Sequence, residues 1–179
     1  MLHTTLRAVA VVLIVVATIT VMTRPHVSRI EISKSARTLR LLDAEGGEIA
    51  SYPISVGRSA QGPKEVEGDK RTPEGEYFVC VKNPNSRFHL SLGLNYPNAE
   101  DGRRGFDAGR ITAEELAEIE TAERERRRPP WKTALGGEIF IHGHGHGRDG
   151  TAGCIAVTDA AIDEIYALVY VGTPVTIEP

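Results

Sequence analysis

The first half of the chain alternates apolar and polar positions, which is the pattern of half-buried β-strands. Between residues 28 and 33, Ile30 and Ile32 alternate with charged side chains. The segment Ala44-Glu45-Gly46-Gly47 has the composition of a hairpin turn. Short apolar segments of this kind predict a mainly β domain, and they cover residues 28–33, 38–42, 49–56, 76–82, 88–94, 139–141, 151–157 and 175–177.

Two segments have the spacing of helices instead. Thr112 and Glu115 form a capping box, which predicts a surface helix from Thr112 to about Arg128, just before two prolines. We interpret residues 97–134 as an insertion that carries this helix over the β core. A second helix is predicted to begin at Thr158, with an apolar stripe that faces the core and consists of Ile162, Ile165, Tyr166 and Val169.

The N-terminal segment differs from the rest of the chain. Ala8 to Thr23 contains no charged residue, but this run is marginal as a span because a bilayer core needs about 20 apolar residues. Arg7 supplies the basic start of a secretory signal, whereas no small-x-small cleavage site follows. Residues 1–24 are therefore predicted to be a membrane anchor or a signal peptide, with a buried element of the domain as a third interpretation. The first two place residues 25–179, a single domain, outside the cytoplasm.

The net charge and the two cysteines limit the kinds of function that the chain can have. A formal net charge of −3 argues against a nucleic-acid partner, which would require a basic face. The two cysteines lie in different settings. Cys80 falls within an apolar run and is predicted to be a buried structural thiol. Cys154 lies among glycines and small polar residues, and an unpaired thiol in such a setting indicates chemistry.

A catalytic arrangement can be built around Cys154. The short apolar strand 139–141 delivers His142 at its end, and Cys154 begins a later strand. If the two strands are neighbours, the imidazole can take the thiol proton and hold a thiolate–imidazolium pair. The backbone N–H groups of Gly153 and Cys154 would bind the oxyanion, and the carbonyl of Gly143 would orient the imidazole.

Three longer motifs extend this hypothesis. Residues 68–75 read GDKRTPEG, residues 88–97 read FHLSLGLNYP, and the segment Ile141-His142-Gly143 is followed by DGTAGCIA at residues 149–156. Together they resemble the L,D-transpeptidase (YkuD-type) family, in the family's motif order and over about residues 28–178. The second motif is typical of a periplasmic murein L,D-transpeptidase branch. The resemblance implies a β-sandwich-like catalytic domain.

By that resemblance, Cys154 attacks a carbonyl of a peptidoglycan stem peptide, D-alanine leaves and a thioester remains. An amine of a second stem peptide, or of a lipoprotein, then accepts the acyl group, which would place the protein in cell-wall biogenesis and cell shape. Arg71 and Arg87 are candidates for binding stem carboxylates, because a guanidinium matches a carboxylate in a bidentate fork. Thr151 is grouped with them as substrate-binding, and no cofactor is expected.

Two alternatives remain open. Ala152 occupies a position where many family members carry histidine, so the acceptor could be water, which would make the protein a hydrolase on the same scaffold. His142, His144 and His146 alternate with glycine and, with Cys154, could form a metal site in a non-catalytic domain. No metal is expected, since a glycine-rich loop does not fix tetrahedral geometry by itself. Other polar residues are predicted to brace loops, namely Asp69, Glu74 and Asp149.

Overall fold

The computed structural model describes residues 26–145 and 149–179. The predicted anchor or signal at residues 1–24 lies outside the described residues, and so does His146. Within the described part of the chain, no helix has the length and hydropathy needed to cross a bilayer.

Strands and helices follow one another in the order β1–β5, α1, α2, β6, β7, α3, β8. The strands are β1 (Arg29–Ser33), β2 (Thr38–Leu42), β3 (Glu48–Pro53), β4 (Gly75–Ser86), β5 (His89–Leu94), β6 (Phe140–His142), β7 (Ile155–Ala156) and β8 (Pro174–Glu178). The helices are α1 (Ala99–Asp107), α2 (Ala113–Arg124) and α3 (Asp159–Leu168).

All eight strands belong to one sheet with the order β3-β2-β1-β8-β4-β5-β6-β7. Neighbours are antiparallel except for two parallel pairs, β1 with β8 and β6 with β7. The two ends of the sheet meet, because Ser55, just after β3, exchanges backbone hydrogen bonds of 2.8 and 2.9 Å with Ala156 of β7. The predicted mainly β, sandwich-like fold class is confirmed.

The core follows from the alternation in the sequence. Ile30 and Ile32 of β1 are fully buried, as are the corresponding positions of β2, Leu39 and Leu41. Full burial of such a side chain contributes about 1.5–3 kcal/mol relative to leaving it exposed. Helix α3 begins after its predicted N-cap and packs its apolar stripe on the sheet through Ile162, Ile165 and Val169.

Residues 97–134, the predicted insertion, contain two helices where the sequence predicted one. Helix α2 opens with the predicted capping box but ends at Arg124 rather than near Arg128. Helix α1 was missed, although Asn98 and Asp101 form a second capping box at its start. The part of the domain that the structure describes therefore carries three helices rather than two.

Glycines explain why α1 was missed. Gly102 and Gly105 lie inside the helix, where glycine is unfavourable by about 1 kcal/mol relative to alanine. Here they permit close packing. A Cβ at Gly105 would lie 2.6 Å from Cδ2 of Leu135, and one at Gly102 would lie 3.0 Å from Cδ1 of Leu116 on α2. Tertiary contact outweighs local propensity in this helix.

The long loop between β3 and β4 is held by buried polar contacts. Asp69 accepts hydrogen bonds from the backbone N–H groups of Glu65, Val66 and Arg71, at 2.7–3.1 Å. Glu74 pairs with the buried Nζ of Lys34 at 2.7 Å. The predicted bracing roles of Asp69 and Glu74 are confirmed. The loop also contacts the turn before Cys154, because the Arg58 N–H donates to the carbonyl oxygen of Thr151 at 3.1 Å.

Candidate active site

His142 and Cys154 line the same cleft. In the parallel pair of β6 and β7, His142 is aligned with Ala156, so that Cys154 lies two residues before the partner of the histidine. Both side chains border a cavity of about 970 Å³, here called the main cleft, together with Ser55, Arg87, Phe88, His144, Gly145, Gly150, Thr151, Ala152 and Ala156. This volume falls within the usual range of ligand pockets, about 300–1,000 Å³.

The His142 ring is fixed on two sides. Its Nδ1 lies 2.7 Å from the carbonyl oxygen of Gly143, which can only accept, so Nδ1 carries the proton and donates it. Its face stacks on Phe88, with ring centroids 4.5 Å apart and 24° between the planes. The neutral ring therefore keeps the lone pair of Nε2 for a proton.

Burial lowers the pKa of His142 below its ordinary value, and the nearby charges of His144 and Arg87 lower it further. The hydrogen bond to Gly143 opposes this shift without cancelling it. His142 is consequently neutral at pH 7, which is the form that a general base requires.

Gly143 meets a strict steric requirement. A Cβ at this position would lie 2.6 Å from Oδ1 of Asp159 and 2.8 Å from the carbonyl oxygen of Phe88. Only glycine fits between these atoms while its own carbonyl faces the imidazole. The predicted orienting contact between Gly143 and His142 is present in the structure.

Cys154 is half-buried, and its Sγ lies 3.5 Å from the carbonyl oxygen of Glu138. Burial raises the pKa of the Cys154 thiol, and the Glu138 carboxylate raises it further. The N–H of Phe140 and the charges of Lys64 and Arg87 act in the opposite direction but do not outweigh burial. Both directions oppose the predicted thiolate–imidazolium pair, which stays a prediction. A raised cysteine pKa and a lowered histidine pKa both favour a neutral thiol beside a neutral imidazole.

In the turn before Cys154, the Gly153 N–H, one of the two predicted oxyanion donors, donates to Oγ1 of Thr151 at 3.1 Å. An oxyanion bound by this N–H would have to replace the Thr151 contact, and the predicted pair of donors, Gly153 and Cys154, stays a prediction. Gly153 itself has a φ of 133°, and a Cβ there would lie 2.7 Å from the carbonyl oxygen of Arg71. Glycine is required here by both conformation and contact.

Thr151 supports the turn. Its hydroxyl donates to the carbonyl oxygen of Cys154 at 2.7 Å while it accepts from Gly153. Thr151 also borders the main cleft. Because both hydrogen bonds of its hydroxyl go to the turn, Thr151 stabilises the backbone before Cys154. Its predicted role in substrate binding stays a prediction.

The two candidate arginines lie in different places. Arg87, at the tip of the β4–β5 hairpin, borders the main cleft and a second cavity of about 490 Å³, which is also lined by His142 and Cys154. Its guanidinium lies 4.8 Å from the ring centroid of Phe88. The Arg71 guanidinium instead borders a separate pocket of about 530 Å³ and lies 3.9 Å from Oε1 of Glu65. The structure does not bring Arg71 into the main cleft. Its carbonyl faces Gly153, and its side chain lies in the other pocket.

Asp149 connects the segment before Cys154 to residues at the β1–β3 end of the sheet. Its carboxylate accepts from the Val56 N–H at 3.0 Å and forms a two-pronged ion pair with Arg37. Burial alone would raise the pKa of Asp149, but the hydrogen bonds from Arg37 and Val56 hold that pKa below its ordinary value. The predicted bracing role of Asp149 is confirmed. Its partner Arg37 was not predicted, because no local pattern connects residues so distant in sequence.

The remaining candidates have local partners. His144 Nδ1 lies 2.9 Å from Oδ1 of Asp159, a contact that the sequence did not reveal. Among residues 26–145 and 149–179, no cluster of three potential metal ligands is present. His146, the third histidine of the alternative metal site, lies outside the described residues. Cys80, predicted to be buried, is half-buried in the structure and is not among the residues that border the main cleft. Burial still raises the pKa of its thiol to about 12.

Comparison with known proteins agrees with this architecture. The sequence model of the YkuD family, described as the L,D-transpeptidase catalytic domain, matches residues 27–177. A candidate L,D-transpeptidase of Escherichia coli (strain K12), YafK, is 29% identical over 145 residues, which cover 78% of this chain and 46% of YafK. The chain therefore spans about half the length of this curated relative.

Solved structures share the fold. The helical cell shape determining protein Pgp2 of Campylobacter jejuni superimposes with a TM-score of 0.60 at 23% identity, over 86% of this chain and 48% of Pgp2. Bd1075 of Bdellovibrio bacteriovorus gives a TM-score of 0.56 at 23% identity, over 85% of this chain and 48% of the other. The family match covers the same segment as the β domain and its three motifs. The chain belongs to the YkuD family of L,D-transpeptidase catalytic domains.

Proposed function

We propose that this protein is a cysteine L,D-transpeptidase that acts on peptidoglycan stem peptides through a thioester on Cys154. The observation that carries the proposal is the orientation of His142. Its Nδ1 donates to Gly143, and its ring borders the same cleft as Cys154. An imidazole held in one tautomer beside a thiol is the arrangement that activates a sulfur nucleophile.

The proposed first half-reaction begins from the neutral pair. Because the pKa of Cys154 is raised and that of His142 is lowered, the proton moves to Nε2 as the sulfur attacks the stem carbonyl rather than beforehand. The Cys154 N–H then stabilises the tetrahedral oxyanion, a contribution worth about 3–4 kcal/mol per donor in comparable sites. His142 returns the proton to the leaving amine, D-alanine, and the thioester remains.

The main cleft suits a peptide with one charged end. Phe88, Ala152 and Ala156 supply apolar walls, and Arg87 supplies a cation at the hairpin tip. We propose that Arg87 binds a carboxylate of the stem peptide. The guanidinium is already held over the Phe88 ring, so little side-chain freedom is lost on binding.

The acceptor is proposed to be an amine of a second stem peptide, which gives a crosslink, or of a lipoprotein, which attaches a protein to the wall. A hydrolase is the second candidate. It is favoured by Ala152, which leaves the edge of the cleft beside the nucleophile without a histidine. A role in cell shape is part of the proposal, and the fold shared with Pgp2 is compatible with it.

The reaction is proposed to take place outside the cytoplasm. The uncharged run from Ala8 to Thr23 supports this location, as either a membrane anchor or a signal peptide. In both cases the catalytic domain would lie in the compartment that contains peptidoglycan. Neither a nucleic acid nor a cofactor is part of the proposal.

Product analysis tests the function. The detergent-solubilised full chain is incubated with disaccharide tetrapeptides, and the products are identified by mass, with Cys154→Ser as the inactive control. Crosslinked dimers are the expected product. Shortened monomers alone would establish the hydrolase instead, and unchanged substrate would contradict both candidates.

A further inference from the structure

A second histidine–carboxylate pair borders the main cleft. His144 Nδ1 lies 2.9 Å from Oδ1 of Asp159, and the backbone N–H of His144 donates to the same oxygen at 2.7 Å. Asp159 is the first residue of α3, where the helix dipole also favours its negative charge. The hydrogen bonds from His144 keep the pKa of Asp159 below its ordinary value, so that the carboxylate stays ionised.

The pair fixes the tautomer of the second imidazole. An ionised carboxylate can only accept, so Nδ1 of His144 carries a proton, and in the neutral form of the ring Nε2 keeps its lone pair. The side chain of His144 is about half exposed, with 47% of its surface accessible. It can therefore meet an incoming molecule and exchange protons with water.

The two imidazoles contact one aromatic ring from different directions. Phe88 stacks face to face on His142, whereas His144 meets the same ring edge-on, with centroids 6.3 Å apart and planes at 82°. His142, His144 and Cys154 all border the main cleft. The cleft is thus lined by two imidazoles, the half-exposed ring of His144 and the buried ring of His142.

The second half-reaction needs such a base. An acceptor amine of the lysine type has a pKa near 10.4 and is an ammonium ion at neutral pH, so it must lose a proton before it can attack. His142 is buried, with 6% of its surface exposed, and the proposed first half-reaction already assigns it to the thiol proton. We propose that His144, oriented by Asp159, is the base that takes the proton from the acceptor in the second half-reaction. The inference rests on the proposed function of the same cleft.

Nε2 of His144 takes one proton from the acceptor nitrogen, whose freed electron pair attacks the thioester carbonyl. The new carbon–nitrogen bond forms as the carbon–sulfur bond breaks, and its electrons return to Sγ of Cys154. The amide nitrogen gives up its extra proton to neutral His142, which passes it to the sulfur, and His144 releases its proton to water.

The chain offers a matched control one turn along α3. His89 Nε2 lies 2.7 Å from Oδ1 of Asp163, which makes a second exposed histidine–aspartate pair on the same helix. Among the described residues that border the main cleft, His89 is absent. Both histidines have positive φ, 61° for His144 and 72° for His89. Asparagine tolerates this conformation better than most residues, so His144→Asn and His89→Asn keep the backbone while removing the base.

The test separates the two half-reactions in the full chain. Disaccharide tetrapeptide is the donor, an excess of the same tetrapeptide is the acceptor, and the thioester is followed by rapid quenching and intact-protein mass. For His144→Asn we expect thioester formation within about twofold of wild type and decay slowed about 10²-fold, the usual contribution of general base catalysis. Free imidazole is expected to accelerate decay in this variant, and His89→Asn is expected to match wild type.

A second variant guards against an effect of folding. Asp159→Asn can still accept the His144 N–H but removes the charge that orients the ring, so a smaller slowing of decay is expected. Normal decay in His144→Asn would overturn the inference, as would equal slowing of both half-reactions without rescue by imidazole. If wild-type protein forms no thioester at all, the proposed function fails and this inference fails with it.

Discussion

Phe88 and His142 lie face to face with their ring centroids 4.5 Å apart, although they come from different elements. Phe88 is in the turn between β4 and β5, and His142 ends β6, the strand that pairs with β5. The hairpin therefore shields the base from water as well as carrying Arg87 to the cleft. The contact joins the motif at residues 88–97 to the motif that contains His142 and Cys154.

Removing the Phe88 ring should change the pH dependence of the reaction. In Phe88→Ala, His142 becomes more hydrated, so its pKa, now lowered by burial, rises toward the ordinary value. Because the neutral form is active, the acid limb of the profile of kcat/KM against pH should move to higher pH. Phe88→Leu keeps much of the shielding and should move it less. An unchanged acid limb in Phe88→Ala would show that the ring does not tune the base.

The turn glycine should be essential for both stability and activity. Gly153→Ala forces a side chain into a φ of 133° and against the carbonyl oxygen of Arg71. A loss of about 1–3 kcal/mol in unfolding free energy is expected, together with loss of turnover. Gly150→Ala is the control for stability, since no atom of the described residues, chain neighbours aside, lies within 4 Å of its added Cβ. Urea unfolding of both variants measures the difference, and equal stability would contradict the steric account.

The ion pair of Arg37 with Asp149 should stabilise the domain except in acid. The pKa of the Asp149 carboxyl is lowered in the folded state. Asp149 therefore contributes stability above its unfolded pKa of about 3.9, and this contribution is lost as the pH falls through the lower folded value. Asp149→Asn should cost about 1 kcal/mol at neutral pH and nothing in strong acid. Unfolding curves at several pH values check this. A cost that does not depend on pH would point to packing rather than charge.

Asp101 should act in the opposite sense. It is 3% exposed, and burial raises its pKa from 3.8 to about 6 despite hydrogen bonds from Asn98, Tyr77 and Arg104. The folded state therefore binds its proton more tightly than the unfolded state, and stability from this group is present at low pH and falls as the pH rises through about 6. Asp101→Asn should flatten that part of the stability profile. A profile identical to wild type would refute the assignment.

Much of the fold could be predicted because it is encoded locally. Strand alternation and the capping box at Thr112 are short-range signals, and the structure reproduces them. Helix α1 was missed because its glycines are explained only by contact with Leu135 and α2. Its capping box at Asn98 was the available signal.

The site shows the same division. Proximity of His142 and Cys154 follows from the pairing of two strand ends, which the motifs suggested. The direction of the Arg71 side chain, the capture of the Gly153 N–H by Thr151 and the pairing of His144 with Asp159 depend on tertiary geometry. None of these leaves a periodic or spacing signal in one sequence.

The central claim is that His142 activates Cys154, and thiol labelling tests it most directly. The rate of modification of Cys154 by iodoacetamide is measured against pH in wild type and in His142→Ala, with site assignment by peptide mass. Burial raises the pKa of the Cys154 thiol, so its reaction near pH 7 depends on a base that takes the proton as the sulfur attacks. Labelling near pH 7 should therefore fall at least about tenfold in the variant and recover only at higher pH, while Cys80, whose pKa is raised to about 12, stays unlabelled in both. Equal labelling of Cys154 with and without the imidazole would contradict the account.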